Sequence, residues 1–319
     1  MPTRRSVLIA GVALGTLLRA RHTTGGAPQP AIRVSFSVPA GACDCHAHIF
    51  GDYQRFPLLP SRNYTPGLAL PAELAQLHRT LHVERSVIVT PTAYGADNSA
   101  TLYGVRELGS AARAVVVIDE TTPEKELDAM EQAGARGVRL FLAGPGMDAA
   151  TARRQFQSAE ERLRNGRWHI QIFTNLAILS ALKDLVAKSA VPVVFDHFGG
   201  ARGEHGISQP GFADLLELVG VGKAYVKLSA AYRFSKQAPD FDDMRPLAQA
   251  LIAANPARIL WATDWPHTSG DIPGKKPTDI FPFIDVDDAH LMNLLAAWVP
   301  DPTLRRRILV ENPEHLYEF

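Results

Sequence analysis

Eight short β-rich runs alternate with longer helical segments from residue 41 onward, and this alternation restricts the fold more than any other feature. The predicted strands span residues 43–50, 86–90, 114–119, 137–142, 169–173, 191–195, 225–229 and 259–263. The predicted amphipathic helices between them include 72–82, 123–133, 176–188, 212–219 and 244–254. Strands that alternate with helices favour βαβ units and a parallel sheet. Eight such units match an α/β fold of the (β/α)8 TIM-barrel type, typically about 250 residues long, so we predict one barrel domain over residues 38–319.

A doubly wound open sheet is the alternative arrangement for alternating strands and helices. Such sheets often bind dinucleotides at a Gly-x-Gly-x-x-Gly turn that follows the first strand. No turn of this kind follows the predicted strand 43–50. A dinucleotide site is therefore not expected, and the closed barrel is the preferred fold.

The composition is that of an ordinary soluble globular protein. Hydrophobic residues make up 46% of the 319 residues and charged residues 21%, while Lys plus Arg and Asp plus Glu balance at 33 each. This balance does not indicate binding to nucleic acid or to an anionic membrane. Cys43 and Cys45 are the two cysteines, and they lie on one predicted strand, where a mutual disulfide would be strained. We expect both to be packing residues.

The first 30 residues differ in kind from the rest of the chain. Arg4 and Arg5 precede an uncharged, mostly apolar run at 7–18, and no Asp or Glu occurs before Asp44. A positive start, a short apolar run and a flexible exit are typical of a secretion signal, and the arginine pair resembles the twin-arginine type. The apolar run is too short for a membrane span of about 20 residues. We therefore predict a signal peptide and linker at 1–30, export to the bacterial periplasm and no stable membrane anchor.

Polar residues stand at or near the C-terminal ends of the predicted strands, where TIM barrels carry their active sites. The fold would bring them to one mouth although they are far apart in the sequence. These residues are Asp44, His46, His48, Arg139, Gln171, Asp196, His197, Tyr232, Arg233, Asp264 and His267.

Two groups in this set suggest chemistry. Asp44, His46 and His48 recur at every second position, so on a regular strand they would point to one face. Two imidazoles at this spacing suit one metal ion, or the polarisation of one carbonyl oxygen. Asp264 follows an apolar strand and stands between Trp261 and Trp265. Such a setting should raise the pKa of Asp264 and suit a general base acting on water.

Three motifs carry a resemblance to a known family. They are residues 44–51 (DCHAHIFG), 196–199 (DHFG) and 261–267 (WATDWPH). Together they resemble the amidohydrolase superfamily, and more closely its branch of lactonases, which includes the 2-pyrone-4,6-dicarboxylate lactonases. The similarity runs from about residue 38 to the C-terminus. Further similar stretches are 61–66, 83–89, 94–98, 137–139, 168–171 and 311–313.

The resemblance implies that the protein opens a lactone ring by hydrolysis. The histidines that match the family motif, His46, His48 and His197, would polarise the lactone carbonyl. Asp264 would accept a proton from the attacking water. The implied substrate-binding residues are Arg139, Arg233, Tyr64, Tyr94 and His267.

The resemblance leaves the cofactor open between no metal and a single divalent ion. Two-metal members of the superfamily use a bridging lysine carbamate or glutamate and a further histidine, where this chain has Arg139 and Gln171. A binuclear site is therefore not expected. One Zn²⁺ could be held by His46, His48, His197 and Asp264, and the slightly favoured prediction is no metal or one weakly bound ion.

Several positions depart from the dicarboxylate lactonases and remove polar groups. Residues 143–146 (AGPG) and 199–200 (GG) lack arginines of that pattern, Phe173 replaces a tyrosine, and Thr268 and Ser269 follow His267. We therefore expect a small-molecule lactone with fewer anionic groups, or different ones. The alternatives are a metal-dependent decarboxylase of the same superfamily and a non-catalytic periplasmic binding protein. A monomer or a homodimer is expected.

Overall fold

The computed structural model describes residues 26–319 except residues 145, 165, 167 and 271. The predicted signal peptide lies outside the described residues up to residue 25. In the described part of the chain, the strands are β1 Cys43–Ala47, β2 Thr65–Pro66, β3 Arg85–Val89, β4 Ala112–Val116, β5 Ala135–Leu142, β6 His169–Thr174, β7 Val193–Phe195, β8 Ala224–Leu228, β9 Ile259–Trp261 and β10 Ile280–Phe281.

Eight of these strands form one parallel sheet in the order β1-β3-β4-β5-β6-β7-β8-β9. Each predicted strand overlaps one strand of this sheet. The two ends of the sheet meet just beyond β1 and β9, where the His48 N–H donates to the Trp265 carbonyl at 2.8 Å and the Asp264 N–H donates to the His46 carbonyl at 2.9 Å. The architecture is that of the predicted (β/α)8 barrel.

Helices connect the strands on the outside of the sheet. They are α1 Pro71–Leu81, α2 Ser99–Leu108, α3 Glu124–Gln132, α4 Ala149–Leu163, α5 Leu176–Lys188, α6 Phe212–Gly220, α7 Ala231–Phe234, α8 Arg245–Ala254, α9 Asp288–Trp298, α10 Pro302–Arg306 and α11 Asn312–Tyr317. The five predicted helices are confirmed to within one residue at each end. Side-chain oxygens of Asp148, Asn175 and Asp287 accept N–H groups in the first turns of α4, α5 and α9, which satisfies donors that have no partner within the helix.

The buried apolar side chains form two clusters, as expected for a sheet closed on itself. Along β3, Val87 and Val89 belong to the smaller cluster, and Ile88 between them belongs to the larger one. Period-two alternation therefore separates the barrel interior from the layer under the helices. Cys43 and Cys45 are buried free thiols in the interior cluster, so the prediction that they are packing residues is confirmed.

Strand β1 is irregular, and this corrects one expectation. Three residue steps from Asp44 to Ala47 correspond to two steps along β3, so the pairing register shifts between them. A bulge of this kind places two successive residues on one side of a strand. Cys45 lies in the interior cluster, and His46 and His48 point to the centre described below. The side chain of Asp44 is therefore out of phase with the two histidines.

Asp44 does not join the histidines at the mouth, contrary to the sequence-based prediction. Its Oδ1 accepts the Thr263 N–H at 3.0 Å, and its Oδ2 accepts the Thr263 hydroxyl at 2.6 Å. Nε2 of His78, on α1, lies 3.2 Å from the same Oδ2. The carboxylate therefore ties β1 to the end of β9 and to the helical layer.

The described residues before β1 pack against the barrel. The Ala27 N–H donates to Oε1 of Glu73 on α1 at 2.9 Å. The Pro28 carbonyl accepts a hydrogen bond from Nε1 of Trp265 at 2.8 Å. The end of the predicted 1–30 segment thus contacts the loop that carries Asp264. Among the residues that the structure describes, no helix combines the length and apolar character needed to cross a bilayer.

Candidate active site

Three imidazole nitrogens converge on one carboxylate oxygen at the mouth of the barrel. The Nε2 atoms of His46, His48 and His197 each lie 3.6 Å from Oδ1 of Asp264. All four residues are at most 4% exposed. They lie at or just beyond the C-terminal ends of β1, β7 and β9. Barrels of this type place their active sites at these strand ends. The structure therefore brings together the four residues predicted to be catalytic.

Each of the three imidazoles is fixed through its other nitrogen. The Nδ1 contacts are His46 with Asp196 Oδ1 at 3.1 Å, His48 with the Val89 carbonyl at 2.7 Å and His197 with Ser229 Oγ at 2.7 Å. A carbonyl oxygen can only accept, so Nδ1 of His48 carries a hydrogen, and in the neutral form of the ring the lone pair lies at Nε2. Nε2 of His46 is buried without a hydrogen-bond partner among the described residues.

The backbone is strained where the site residues leave their strands. His197, Phe198 and Asp264 have φ angles of 47°, 56° and 64°, in the left-handed region that non-glycine residues rarely adopt. Gly200 continues the first of these turns at φ 80°, and a Cβ there would lie 2.4 Å from the Thr174 carbonyl oxygen. Conformations of this kind persist only where the surrounding structure enforces them, and they cluster at functional sites.

The second oxygen of Asp264 is held from the opposite side. Oδ2 accepts the Tyr232 hydroxyl at 2.6 Å and Nε of Arg233 at 2.9 Å. Burial would raise the pKa of Asp264, but the charge of Arg233 and the contact with His197 hold it well below its ordinary value. The sequence-based expectation of a raised pKa was therefore wrong, because Arg233 neutralises the charge that burial would disfavour. Asp264 is ionised at neutral pH.

A second buried network lies beneath the histidines. Oδ2 of Asp196 is 3.3 Å from Nη2 of Arg139 and 3.1 Å from Nε2 of Gln171. Nζ of Lys227 contacts Oε1 of Gln171 at 2.6 Å and Oδ1 of Asp196 at 3.4 Å. Burial would raise the pKa of Asp196, but His46 and Lys227 hold it well below its ordinary value. Asp196 is thus an ionised acceptor that orients the ring of His46.

The predicted substrate arginines already have protein partners. Arg139 is 8% exposed and reaches the Thr90 carbonyl at 3.3 Å in addition to Asp196. Arg233 contacts Asp264 and also donates through Nη2 to the Thr268 carbonyl at 2.9 Å. Each guanidinium has five N–H donors, so donors remain for a ligand at both positions.

The other three predicted substrate-binding residues differ in their placement. Tyr64 is 8% exposed, and burial raises the pKa of its hydroxyl. The Tyr94 hydroxyl accepts the Gly51 N–H at 3.2 Å. His267 is fully buried. Tyr64 therefore keeps a small exposed fraction, whereas His267 has none.

Aromatic rings form one side of the mouth. Phe141 of β5 and Phe173 of β6 stack with ring centroids 4.9 Å apart and planes 9° from parallel. Phe173 meets the ring of His197 edge-on at 5.7 Å. Phe141 is 43% exposed, so the wall continues from the histidines to the surface and offers a flat apolar face to a ligand.

Sequence reasoning missed several residues that support the site. Lys227 had a visible signal, a single charge inside the apolar run 225–229. Ser229 and the Val89 carbonyl had none, because their contacts with the histidines depend on pairing between distant strands. Asp288, which contacts Nε2 of His267 at 3.1 Å, also had no signal, because it begins a helix more than 20 residues further along the chain.

The donor set fits one divalent metal ion. His46, His48 and Asp264 offer ligand atoms within 4.8 Å of one another. A second set of ligand atoms is formed by His46, Asp196 and His197, so the His46 ring belongs to both sets. Zn²⁺ bonds of about 2.0–2.1 Å place neighbouring ligand atoms of a tetrahedron about 3.3 Å apart, close to the observed 3.6 Å. Lone pairs that face a carboxylate would repel it, so the neutral rings favour a cation at this point.

Comparison with known proteins identifies the class. The chain belongs to the amidohydrolase family, whose model, described as Amidohydrolase, matches residues 43–319. A 4-sulfomuconolactone hydrolase from Rhizobium radiobacter is 33% identical over 284 residues, which cover 89% of this chain and 92% of that protein. A 2-pyrone-4,6-dicarboxylate hydrolase from Comamonas testosteroni is 32% identical over 291 residues, which cover 88% and 92%. The resemblance to the lactonase branch is confirmed.

One relative carries the name of a different reaction. A D-galactarolactone isomerase from Agrobacterium fabrum is 33% identical over 303 residues, which cover 94% of this chain and 96% of that protein. Similarity at this level therefore includes proteins named for hydrolysis and for isomerisation. All three relatives are named for small cyclic esters or related ring compounds.

Two buried histidines predict a dependence of stability on pH. Burial lowers the pKa of His169 to about 3 and that of His197 to about 4, from an ordinary value of 6.5. Below the ordinary value, the unfolded chain binds protons that the folded chain does not bind, so stability is lost as the pH falls from 6.5 towards 4. We expect the free energy of unfolding to fall by about 2 kcal/mol per histidine between pH 7 and pH 5.

Urea denaturation at both pH values checks this expectation. His169→Phe should reduce the fall by about 2 kcal/mol, because it removes one of the groups that the fold keeps neutral. Substitution of the exposed His205 by glutamine serves as the matched control and should leave the fall unchanged. Equal stability at the two pH values would contradict the prediction.

Proposed function

We propose that this protein hydrolyses the ring ester of a lactone derived from a small organic acid. The observation that carries the proposal is the convergence of three imidazole Nε2 atoms, each 3.6 Å away, on a single oxygen of Asp264. Ester hydrolysis needs a base for water and a positive group for the developing oxyanion. Two of the three relatives described above are named as hydrolases.

Asp264 is the general base in this proposal. Its Oδ2 is occupied by Tyr232 and Arg233, so Oδ1 is the oxygen left to accept a proton from water. The water oxygen bonds to the lactone carbonyl carbon and the ring C–O bond then breaks. Asp264 returns the proton to the leaving ring oxygen, so the product is the open hydroxy or keto acid and the carboxylate is regenerated.

The three histidines serve the carbonyl side of the reaction. In its neutral form, His48 cannot donate from Nε2, because its one hydrogen is donated to the Val89 carbonyl. A single Zn²⁺ held by the three Nε2 atoms, with Oδ1 of Asp264 left to accept the proton, would, when bound, polarise the carbonyl oxygen as a Lewis acid. Asp196 and Ser229 keep the rings of His46 and His197 aimed at that point. We therefore place a single-metal site above a metal-independent one.

The substrate carries fewer anionic groups than a pyrone dicarboxylate, or different ones, in this proposal. Arg139 and Arg233 are the guanidinium groups near the four central residues, and both already have protein partners. The apolar pair Phe141 and Phe173 adjoins Arg139, whose guanidinium carbon lies 5.9 Å from the centroid of the Phe173 ring. Such a mouth suits a ligand that carries a carboxylate beside a planar or apolar part.

A panel of lactones tests the proposal. The panel contains muconolactones, pyrones and sugar-acid lactones, each incubated with chelated protein and with protein given one equivalent of Zn²⁺. Hydrolysis increases the mass of the ligand by one water and releases a proton. Isomerisation leaves the mass unchanged and releases no proton. We expect water addition to at least one lactone, and stronger turnover in the Zn²⁺ arm.

Other outcomes select the alternatives. An unchanged mass with a new retention time would indicate an isomerase. Loss of carbon dioxide from carboxylated ligands would indicate a decarboxylase, and binding without turnover would indicate a binding protein. The location is a separate proposal: the leader at residues 1–30 would direct the chain to the periplasm of its bacterium, which cell fractionation can test.

A further inference from the structure

A chain of hydrogen bonds runs from Asp264 to the start of helix α9. The Tyr232 hydroxyl lies 2.6 Å from Oδ2 of Asp264, and Nδ1 of His267 lies 3.2 Å from the same hydroxyl. Nε2 of His267 lies 3.1 Å from Oδ2 of Asp288. His267 and Asp288 are 0% and 1% exposed. Bulk water therefore does not compete for the bond between them.

Two hydrogens in this chain point towards Asp264. Ionised Asp264 can only accept, so the single hydroxyl hydrogen of Tyr232 goes to Oδ2. The Tyr232 oxygen must then accept the hydrogen on Nδ1 of His267. A further hydrogen lies between Nε2 of His267 and Asp288, because two unprotonated acceptors would repel each other at 3.1 Å.

We propose that Tyr232, His267 and Asp288 are positioning residues for Asp264. They fix Oδ2, so that Oδ1 stays directed at the three imidazoles. Asp264 and His267 both have left-handed backbone angles, φ 64° and 63°, and the loop between them needs an anchor to keep this conformation. The inference rests on the proposed function only for the role of Asp264 as a base.

Arg233 does not replace this chain. Its side chain is 22% exposed, and its guanidinium also binds the carbonyl and the hydroxyl of Thr268. A solvent-accessible guanidinium can exchange its partners for water. The ring of Tyr232 instead packs edge-on against the ring of His267, with centroids 5.2 Å apart and an angle of 88° between the planes.

Removal of one hydroxyl is the primary test. Tyr232→Phe keeps the ring and should lower kcat by about 10–100-fold, the usual effect of losing a group that orients a ligand or base. KM should change by less than about 2-fold, because the hydroxyl contacts the base and not the substrate. The matched control is Tyr225→Phe, which loses a hydroxyl bonded to Arg258 away from the histidines and should retain kcat.

Zn²⁺ affinity provides a readout that needs no substrate. Competition with a chromogenic chelator should give a dissociation constant about 10-fold weaker for Tyr232→Phe and unchanged for Tyr225→Phe. If the wild-type protein opens no lactone, the proposed function fails while the affinity still decides the positioning role. If wild-type binds no Zn²⁺, the kcat comparison decides it. Protein that does neither would overturn both proposals.

A double-mutant cycle tests whether His267 acts through Tyr232. Asparagine tolerates the left-handed angle at position 267, so His267→Asn removes the ring with little added strain. Alone it should lower kcat, and added to Tyr232→Phe it should lower kcat by less than about 2-fold more. Independent, multiplicative effects, or an unchanged kcat and Zn²⁺ affinity in Tyr232→Phe, would overturn the inference.

Discussion

Replacement of Asp264 by asparagine is expected to lower kcat for lactone hydrolysis by about 10³-fold, within the range for loss of a general base. Asparagine tolerates the φ angle of 64°, and its amide has nearly the shape of the carboxylate. The backbone should therefore stay in place while the proton acceptor at Oδ1 is lost. Kinetics with the best lactone of the panel, together with the melting temperature, measure the effect.

The control for this variant is the same substitution, aspartate to asparagine, at a residue in a surface ion pair. Asp184 binds Arg153 at 2.5 Å and its side chain is 52% exposed, so Asp184→Asn should retain the wild-type kcat. An Asp264→Asn protein that folds normally and keeps more than a tenth of kcat would show that another group accepts the proton.

Replacement of Asp44 by alanine is expected to destabilise the fold by about 3 kcal/mol, since each buried donor left without a partner costs about 1–3 kcal/mol. The carboxylate is fully buried. It accepts bonds from both the N–H and the hydroxyl of Thr263 and lies 3.2 Å from Nε2 of His78. Alanine would leave these buried donors without a partner, which costs more than the bonds themselves contributed.

Urea denaturation of Asp44→Ala and of Asp184→Ala compares a buried and an exposed carboxylate. The exposed ion pair should contribute little, because solvent screens it. A loss of stability for Asp44→Ala as small as that for Asp184→Ala would contradict the anchoring role. It would also reopen the possibility that Asp44 belongs to the functional centre with His46.

The barrel could be predicted because its signals are local. Strand alternation and helix caps are readable within about ten residues, and the eight predicted strands all match strands of the sheet. The bulge in β1 could not be predicted, since it depends on how β1 pairs with β3. A regular strand would have placed Asp44 beside His46, and the bulge turns it to the helical layer.

The site was predictable in its members but not in its electrostatics. His46, His48, His197 and Asp264 were recognisable because each lies at the end of an apolar run or in a family motif. The direction of the pKa shift of Asp264 was not predictable. It depends on Arg233, whose Nε lies 2.9 Å from Oδ2 of Asp264 only in the folded chain. Local hydrophobicity alone predicts a raised pKa, and a tertiary ion pair reverses it.

The position of ¹⁸O in the product tests the central claim most directly. The best lactone is opened by the wild-type protein in H₂¹⁸O under single-turnover conditions, and the product is fragmented by mass spectrometry. Attack of water on the carbonyl carbon, with Asp264 as the base, places one ¹⁸O in the new carboxylate. Label in the hydroxyl group, or a product without label, would contradict hydrolysis at the carbonyl and the role assigned to Asp264.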